Sequence, residues 1–113
     1  MKKDKSEIEE ITERLINFRD ERNWKQFHNS KDLALALSIE AAELTELFLW
    51  KTAEEVNVEK LKEELADVLI FAHLLARNHN LDIREIILNK IKINKNKYPA
   101  AKAKNTAKKY SEF

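Results

Sequence analysis

Not one of the 113 residues is glycine, and a single one, Pro99, is proline. Glycine is the residue that ordinarily supplies left-handed backbone and close approach to phosphate. A chain without it, rich in Glu, Lys, Leu and Ala, is predicted to be all-α. The same absence excludes a P-loop and a dinucleotide-binding fingerprint. If phosphates bind here, a metal, lysines and polar side chains must hold them.

The length predicts one domain over residues 1–113, with a helical core at about 6–97 and a loosely ordered basic tail at 98–113. The absence of cysteine leaves no disulfide or thiolate chemistry and fits a reducing cytoplasm. No apolar run reaches membrane-spanning length, and the opening MKKDKSEIEE lacks the apolar segment of a signal peptide. A soluble, cytoplasmic protein with no membrane partner is expected. Between Ile86 and Ser111 stand eight lysines (90, 92, 95, 97, 102, 104, 108 and 109) and no acid. That stretch lacks arginine and dense aromatic interleaving. It reads as a solvated tail or a counter-charge for phosphates, with no nucleic acid as partner.

Apolar periodicity and capping residues predict four helices. The first runs from about Ser6, its N-cap, to Arg22, with Ile8, Ile11, Leu15 and Phe18 on its apolar face. An aromatic connector, residues 23–30, ends in Asn29 or Ser30 as cap of a second helix reaching about Trp50. The third spans about Glu59–His79, with Asn78 or Asn80 offering the left-handed residue that glycine would give. Asp82 caps a fourth, about Ile83–Asn96, which Tyr98-Pro99 ends.

Two acidic pairs lie within the two most apolar stretches: Glu40 and Glu43 in LALALSIEAAELTELFLW, Glu64 and Asp67 in LKEELADVLIFAHLL. At about 100° per residue, Leu33, Ala36, Leu44 and Leu47 fall within about 40° of Glu40, with Glu43 about 60° away. On the third helix Val68, Phe71 and Leu75 flank Glu64 in the same way, with Asp67 about 60° off. Carboxylates avoid such stripes unless they are paired or bound to a cation. Packed antiparallel, the two helices would gather all four carboxylates around one point. Four like charges at close range demand protons or a divalent ion. An oxygen-only donor set favours magnesium, manganese or calcium over zinc.

An ExxE pair followed by twenty residues and an ExxD pair resembles the signature of the all-α nucleotide pyrophosphohydrolases, the MazG-like superfamily. The chain is most similar to its dCTP pyrophosphatase branch. The likeness also rests on Arg22–His28 (RNWKQFH), on Leu35–Leu37 running into the segment Glu40–Lys51, on Glu63–Ile70, on Lys90–Pro99, and on the closing Lys109-Tyr110. The resemblance implies a four-helix MazG-like bundle assembled as an oligomer. It implies magnesium-dependent hydrolysis of a nucleoside triphosphate to monophosphate and pyrophosphate, with dCTP or a modified dCTP as substrate. Manganese would be a possible substitute metal. Glu40, Glu43, Glu64 and Asp67 then hold the metal and form the catalytic set. Trp24, Gln26, Phe27, His28, Trp50, Phe71 and Asn94 fall at positions that contact the nucleotide. Phe71 stands where close dCTP pyrophosphatase relatives carry tyrosine, and Leu15 where some carry histidine. Both departures leave base and sugar preference open, with dUTP, dATP or an oxidised nucleotide as alternatives.

Leu35, Ala42 and Leu49 lie opposite the acids on the second helix, so that helix is apolar on both sides. One short chain can hardly bury both. A homo-oligomer is therefore expected, and the resemblance implies a tetramer, a dimer of dimers with sites shared between subunits. A non-catalytic helical oligomer, its acids structural or binding calcium, is the reading from a different class.

Overall fold

The computed structural model describes residues 5–113, and among these every regular element is helical. Five α-helices follow in order: α1 (Glu7–Glu21), α2 (Ser30–Glu46), α3 (Val58–Asn78), α4 (Ile83–Lys97) and α5 (Ala100–Ala103). Short 3-10 turns lie at Lys25–Phe27, Ala53–Glu55 and Tyr110–Glu112. The four long helices fall where the periodicity placed them.

Their starts are written in side chains. Ser6 accepts from the Glu9 amide while Glu9 reaches back to the Ser6 amide, a full capping box. Asn29, Asn57 and Asp82 each accept from an amide three residues on, heading α2, α3 and α4. Their ends answer the missing glycine. Asn23 (φ 53°) and Asn80 (φ 52°) adopt left-handed backbone after α1 and α3. After α1 the Trp24 amide donates to Arg19 and that of Asn23 to Asp20. After α3 the Leu81 amide donates to Ala76 and that of Asn80 to Arg77. Both are Schellman closures, with asparagine, the residue that best tolerates this conformation after glycine, in glycine's place.

α2 stops four residues short of the expected Trp50. The Phe48 and Leu49 amides reach back only three residues, to Thr45 and Glu46, and Trp50 itself takes φ 62°. Left-handed backbone cannot continue an α-helix, so the apolar run goes on after the helix has ended.

The chain divides into two compact units, one running through Leu81 and the other comprising Asp82–Phe113. In the first, α2 packs along α3 and α1 packs against α3. Contacts at both ends of the α2–α3 pair fix its direction. The start of α2 meets the end of α3 through Ser30 and His79, and Glu40 and Glu43 meet Glu64 further along. The two helices are therefore antiparallel. Leu33, only 1% exposed, is the most deeply buried side chain, joined in the core by Leu74 and Ala76.

In the second unit no residue of α4 is buried. The residues after Pro99, expected to be loosely ordered, carry α5 and the last 3-10 turn. Tyr98 there meets Tyr110 and Phe113 edge-to-face, with both ring centroids 5.9 Å away. The Lys97 ammonium lies 5.1 Å from the centre of the Tyr110 ring. Edge-to-face pairs place the positive ring edge on a negative face and hold the segment together locally.

Candidate functional site

The antiparallel register of α2 and α3 brings one carboxylate oxygen each of Glu40, Glu43 and Glu64 within 4.8 Å of one another. Asp67, the fourth acid of the expected set, is not a member of that group. It stands half-buried one turn further along α3, close enough for its charge to act on Glu40 and Glu64. Glu40 and Glu64 are half-buried as well, and Glu43 faces solvent.

One oxygen each of Glu40 and Glu64 is fully buried and, among the described residues, meets no hydrogen-bond donor. Burial, then the Glu43 carboxyl, then the charges of Asp67 and Glu64 push the Glu40 carboxyl up from 4.5 to about 7. Burial and Glu43 likewise raise Glu64 above the ordinary carboxylate range. Two buried acceptors without donors, among like charges, are costly unless a proton or a cation meets them. The donors are all carboxylate oxygens, and hard divalent ions such as magnesium, manganese and calcium prefer that set. On this test the residues present fit such an ion.

The candidate nucleotide residues fall into separate places. Trp24 follows the α1 closure and meets Phe18 edge-to-face at 5.7 Å. It is the apolar contact that commonly accompanies a Schellman end. The Arg22 guanidinium lies 3.8 Å from the centre of the Phe18 ring. Gln26 is turned inward on its own loop, its amide donating to the Asn23 carbonyl at 2.9 Å. Phe27 is 62% exposed. His28 keeps a buried Nδ1 without a partner, and burial followed by the nearby Arg19 charge lowers its pKa. Trp50 is 93% exposed on left-handed backbone. Phe71 is half-buried on α3, and Asn94 is exposed on α4 in the second unit.

The first unit thus gathers three carboxylates but does not bring the 23–29 connector to them. Glu40 lies ten residues into α2 from Ser30, about 15 Å along the axis at 1.5 Å per residue.

Sequence reasoning passed over three features. Arg19 is 5% exposed, its Nε and guanidinium nitrogen both on one oxygen of Asp20 at 3.0 and 2.9 Å. A signal existed, because Arg19 falls four residues after Leu15 on the apolar stripe of α1. Asn57 as the α3 cap was legible in the same way. The bonds from Asn78 and His79 to the connector and the start of α2 were not, since they join positions about fifty residues apart.

An all-helical chain whose two central helices converge acidic pairs from their apolar stripes defines a class, and comparison with known proteins gives it a family. The MazG-like family matches over residues 35–113, and the chain belongs to it. It is similar to dCTP pyrophosphatase 1 of Homo sapiens, 40% identical over 94% of this chain and 67% of that protein. The Bos taurus dCTP pyrophosphatase 1 is 36% identical over 94% of this chain and 68% of its own. Among solved structures, a pyrophosphatase from Archaeoglobus fulgidus superposes with a TM-score of 0.79 at 34% identity. That match covers 88% of this chain and 98% of the archaeal one.

Proposed function

We propose that this nucleoside triphosphate pyrophosphatase hydrolyses dCTP or a modified dCTP to the monophosphate and pyrophosphate, with magnesium held by Glu40, Glu43, Glu64 and Asp67. The class of enzyme follows from its relatives. The observation that carries the site is the convergence of three carboxylates, two with buried oxygens that no donor meets. Bound there, magnesium or manganese supplies neutralisation of phosphate charge and a lower pKa for water. The carboxylates hold that ion in place, and those left free orient the attacking water toward the α-phosphorus.

The aromatic residues serve the base. Trp50 is the clearest: a tryptophan held in left-handed backbone and left almost wholly in water is unfavourable on both counts. Such a placement is explained by a ligand that stacks on it. Trp24 and Phe27 offer further faces, and the uncharged His28 imidazole offers a hydrogen-bonding nitrogen. The phenyl ring of Phe71 provides packing without a hydroxyl. Asn94 and the neighbouring lysines of α4 serve the phosphates.

The working form is a homotetramer, a dimer of dimers, in the cytoplasm. On α2 and α3, Leu35, Ile39, Leu65 and Leu69 are exposed, and so is Leu49 just after α2. On α4, so are Ile86, Ile87, Leu88, Ile91 and Ile93. These side chains are only about half exposed, so covering what remains of each is worth about 1 kcal/mol. A second copy of the chain covers these faces and brings its own connector to the carboxylates, across a span that one chain leaves open.

The test is magnesium-dependent pyrophosphate release from dCTP by the intact chain, and its loss in Glu43→Gln and Asp67→Asn. Retention of full activity in both variants contradicts the assignment.

A further inference from the structure

Among the described residues, side-chain hydrogen bonds stay within eight positions along the chain, with two exceptions. The Asn78 amide donates to the His28 carbonyl at 2.8 Å. Ser30 Oγ and His79 Nε2 are hydrogen-bonded at 2.8 Å. Both exceptions leave the last turn of α3 and land on the junction between the aromatic connector and α2.

The anchoring end is rigid. Asn78 is the last residue of α3, and the left-handed Asn80 closes that helix with the Leu81-to-Ala76 and Asn80-to-Arg77 bonds. The receiving end needs an anchor. Among the described residues the His28 carbonyl accepts from no backbone amide, and the backbone there leaves a 3-10 turn at φ −99°, ψ 50° on its way to the Asn29 cap. A carbonyl only accepts, so it fixes which side of the Asn78 amide faces it. At its other end the connector is already fastened, by the Trp24 amide on the Arg19 carbonyl and the Trp24 ring on Phe18. A three-residue 3-10 turn has weak internal bonding and does not hold its own shape.

We infer that Asn78, seconded by His79, is a positioning residue: it latches the connector onto the end of α3 and so sets where Phe27 and His28 stand for the nucleotide. The inference rests on the proposed nucleotide role of that connector. Asn78 acts through the connector, by its bond to the His28 carbonyl, and is assigned no contact of its own with the nucleotide. Removing its donor frees the His28 end while Trp24 stays fastened. The nucleotide then meets a connector that must be ordered on binding, and the cost appears in KM.

The experiment is Asn78→Ala in the full chain, with Ser30→Ala as a milder variant should the first unfold. Hydrogen exchange at the Phe27 and His28 amides is read alongside KM, kcat and manganese titration of the carboxylates. The expected result is faster exchange at both amides and a KM raised about tenfold, the equivalent of one positioned hydrogen bond. Turnover at saturation and manganese binding stay within about twofold of the parent, a spread well below one such bond. Where the parent hydrolyses nucleotides, unchanged exchange or an unchanged KM in the variant overturns the latch alone. A parent that hydrolyses no nucleotide overturns the proposed function, and with it the positioning role.

Discussion

Glu40 carries the sharpest consequence at the scale of single residues. In the unfolded chain its carboxyl titrates near 4.5, whereas in the folded chain burial and its neighbours raise it to about 7. Below 4.5 both states hold the proton; between the two values only the folded state does. The stability it contributes is therefore complete at low pH and is lost as pH rises through about 7. The metal-free chain is expected to melt at falling temperature between about pH 4.5 and pH 7, a slope that Glu40→Gln flattens in thermal scans. A divalent ion reverses that loss, because it binds the form the proton leaves. By the same reasoning, Glu64→Gln leaves the metal-free protein as stable as the parent or more so, while cutting turnover by more than about a hundredfold. Trp50 gives a second opposition between stability and function. Glycine there relieves a left-handed cost of about 1–2 kcal/mol and adds an entropy cost of about 0.5–1 kcal/mol. Trp50→Gly is thus expected to melt no lower than the parent, and losing a stacking face raises KM roughly tenfold or more. The acids were legible in the sequence because a charge inside an apolar stripe is a contradiction visible in one dimension. The strain at Trp50 was not, since nothing in the residue's identity forecasts a positive φ.

At the scale of elements, local chemistry settled most of the fold. Ser6, Asn29, Asn80 and Asp82 announced helix boundaries because capping is decided within four residues. Ser6→Ala is expected to cost about 1 kcal/mol, seen as a lower midpoint in urea unfolding with an unchanged slope. Leu33→Ala, which empties the most deeply buried position, costs about 2–5 kcal/mol in the same measurement. Where the reading of elements fell short, the deciding forces were of other kinds. The apolar run Leu47–Trp50 looked like helix, yet the Phe48 and Leu49 amides turn back only three residues and the run closes on the left-handed Trp50. The last sixteen residues looked formless by composition, yet Tyr98, Tyr110 and Phe113 find one another across a dozen positions that no local rule connects.

The whole molecule is where one chain says least by itself. Its first unit supplies the carboxylates. Its aromatic connector lies about 15 Å away along α2, and its apolar outer faces stand in water. On the proposed assembly a second copy covers those faces and completes the site, so assembly and catalysis are expected to fail together when a charge is placed on the outer face, as in Leu69→Glu read by sedimentation and turnover. The approach of Glu40, Glu43 and Glu64 across antiparallel helices was foreseeable from helix periodicity, whereas an assembly of copies is not encoded in any period. The central claim is the reaction itself. The measurement that tests it most directly is a panel of deoxynucleoside and ribonucleoside triphosphates, with and without magnesium, in which pyrophosphate is resolved from single phosphate. The account predicts monophosphate plus pyrophosphate, only with the metal and fastest from dCTP or a modified dCTP. A folded, magnesium-loaded protein that turns over none of them, or that releases single phosphates, would contradict it.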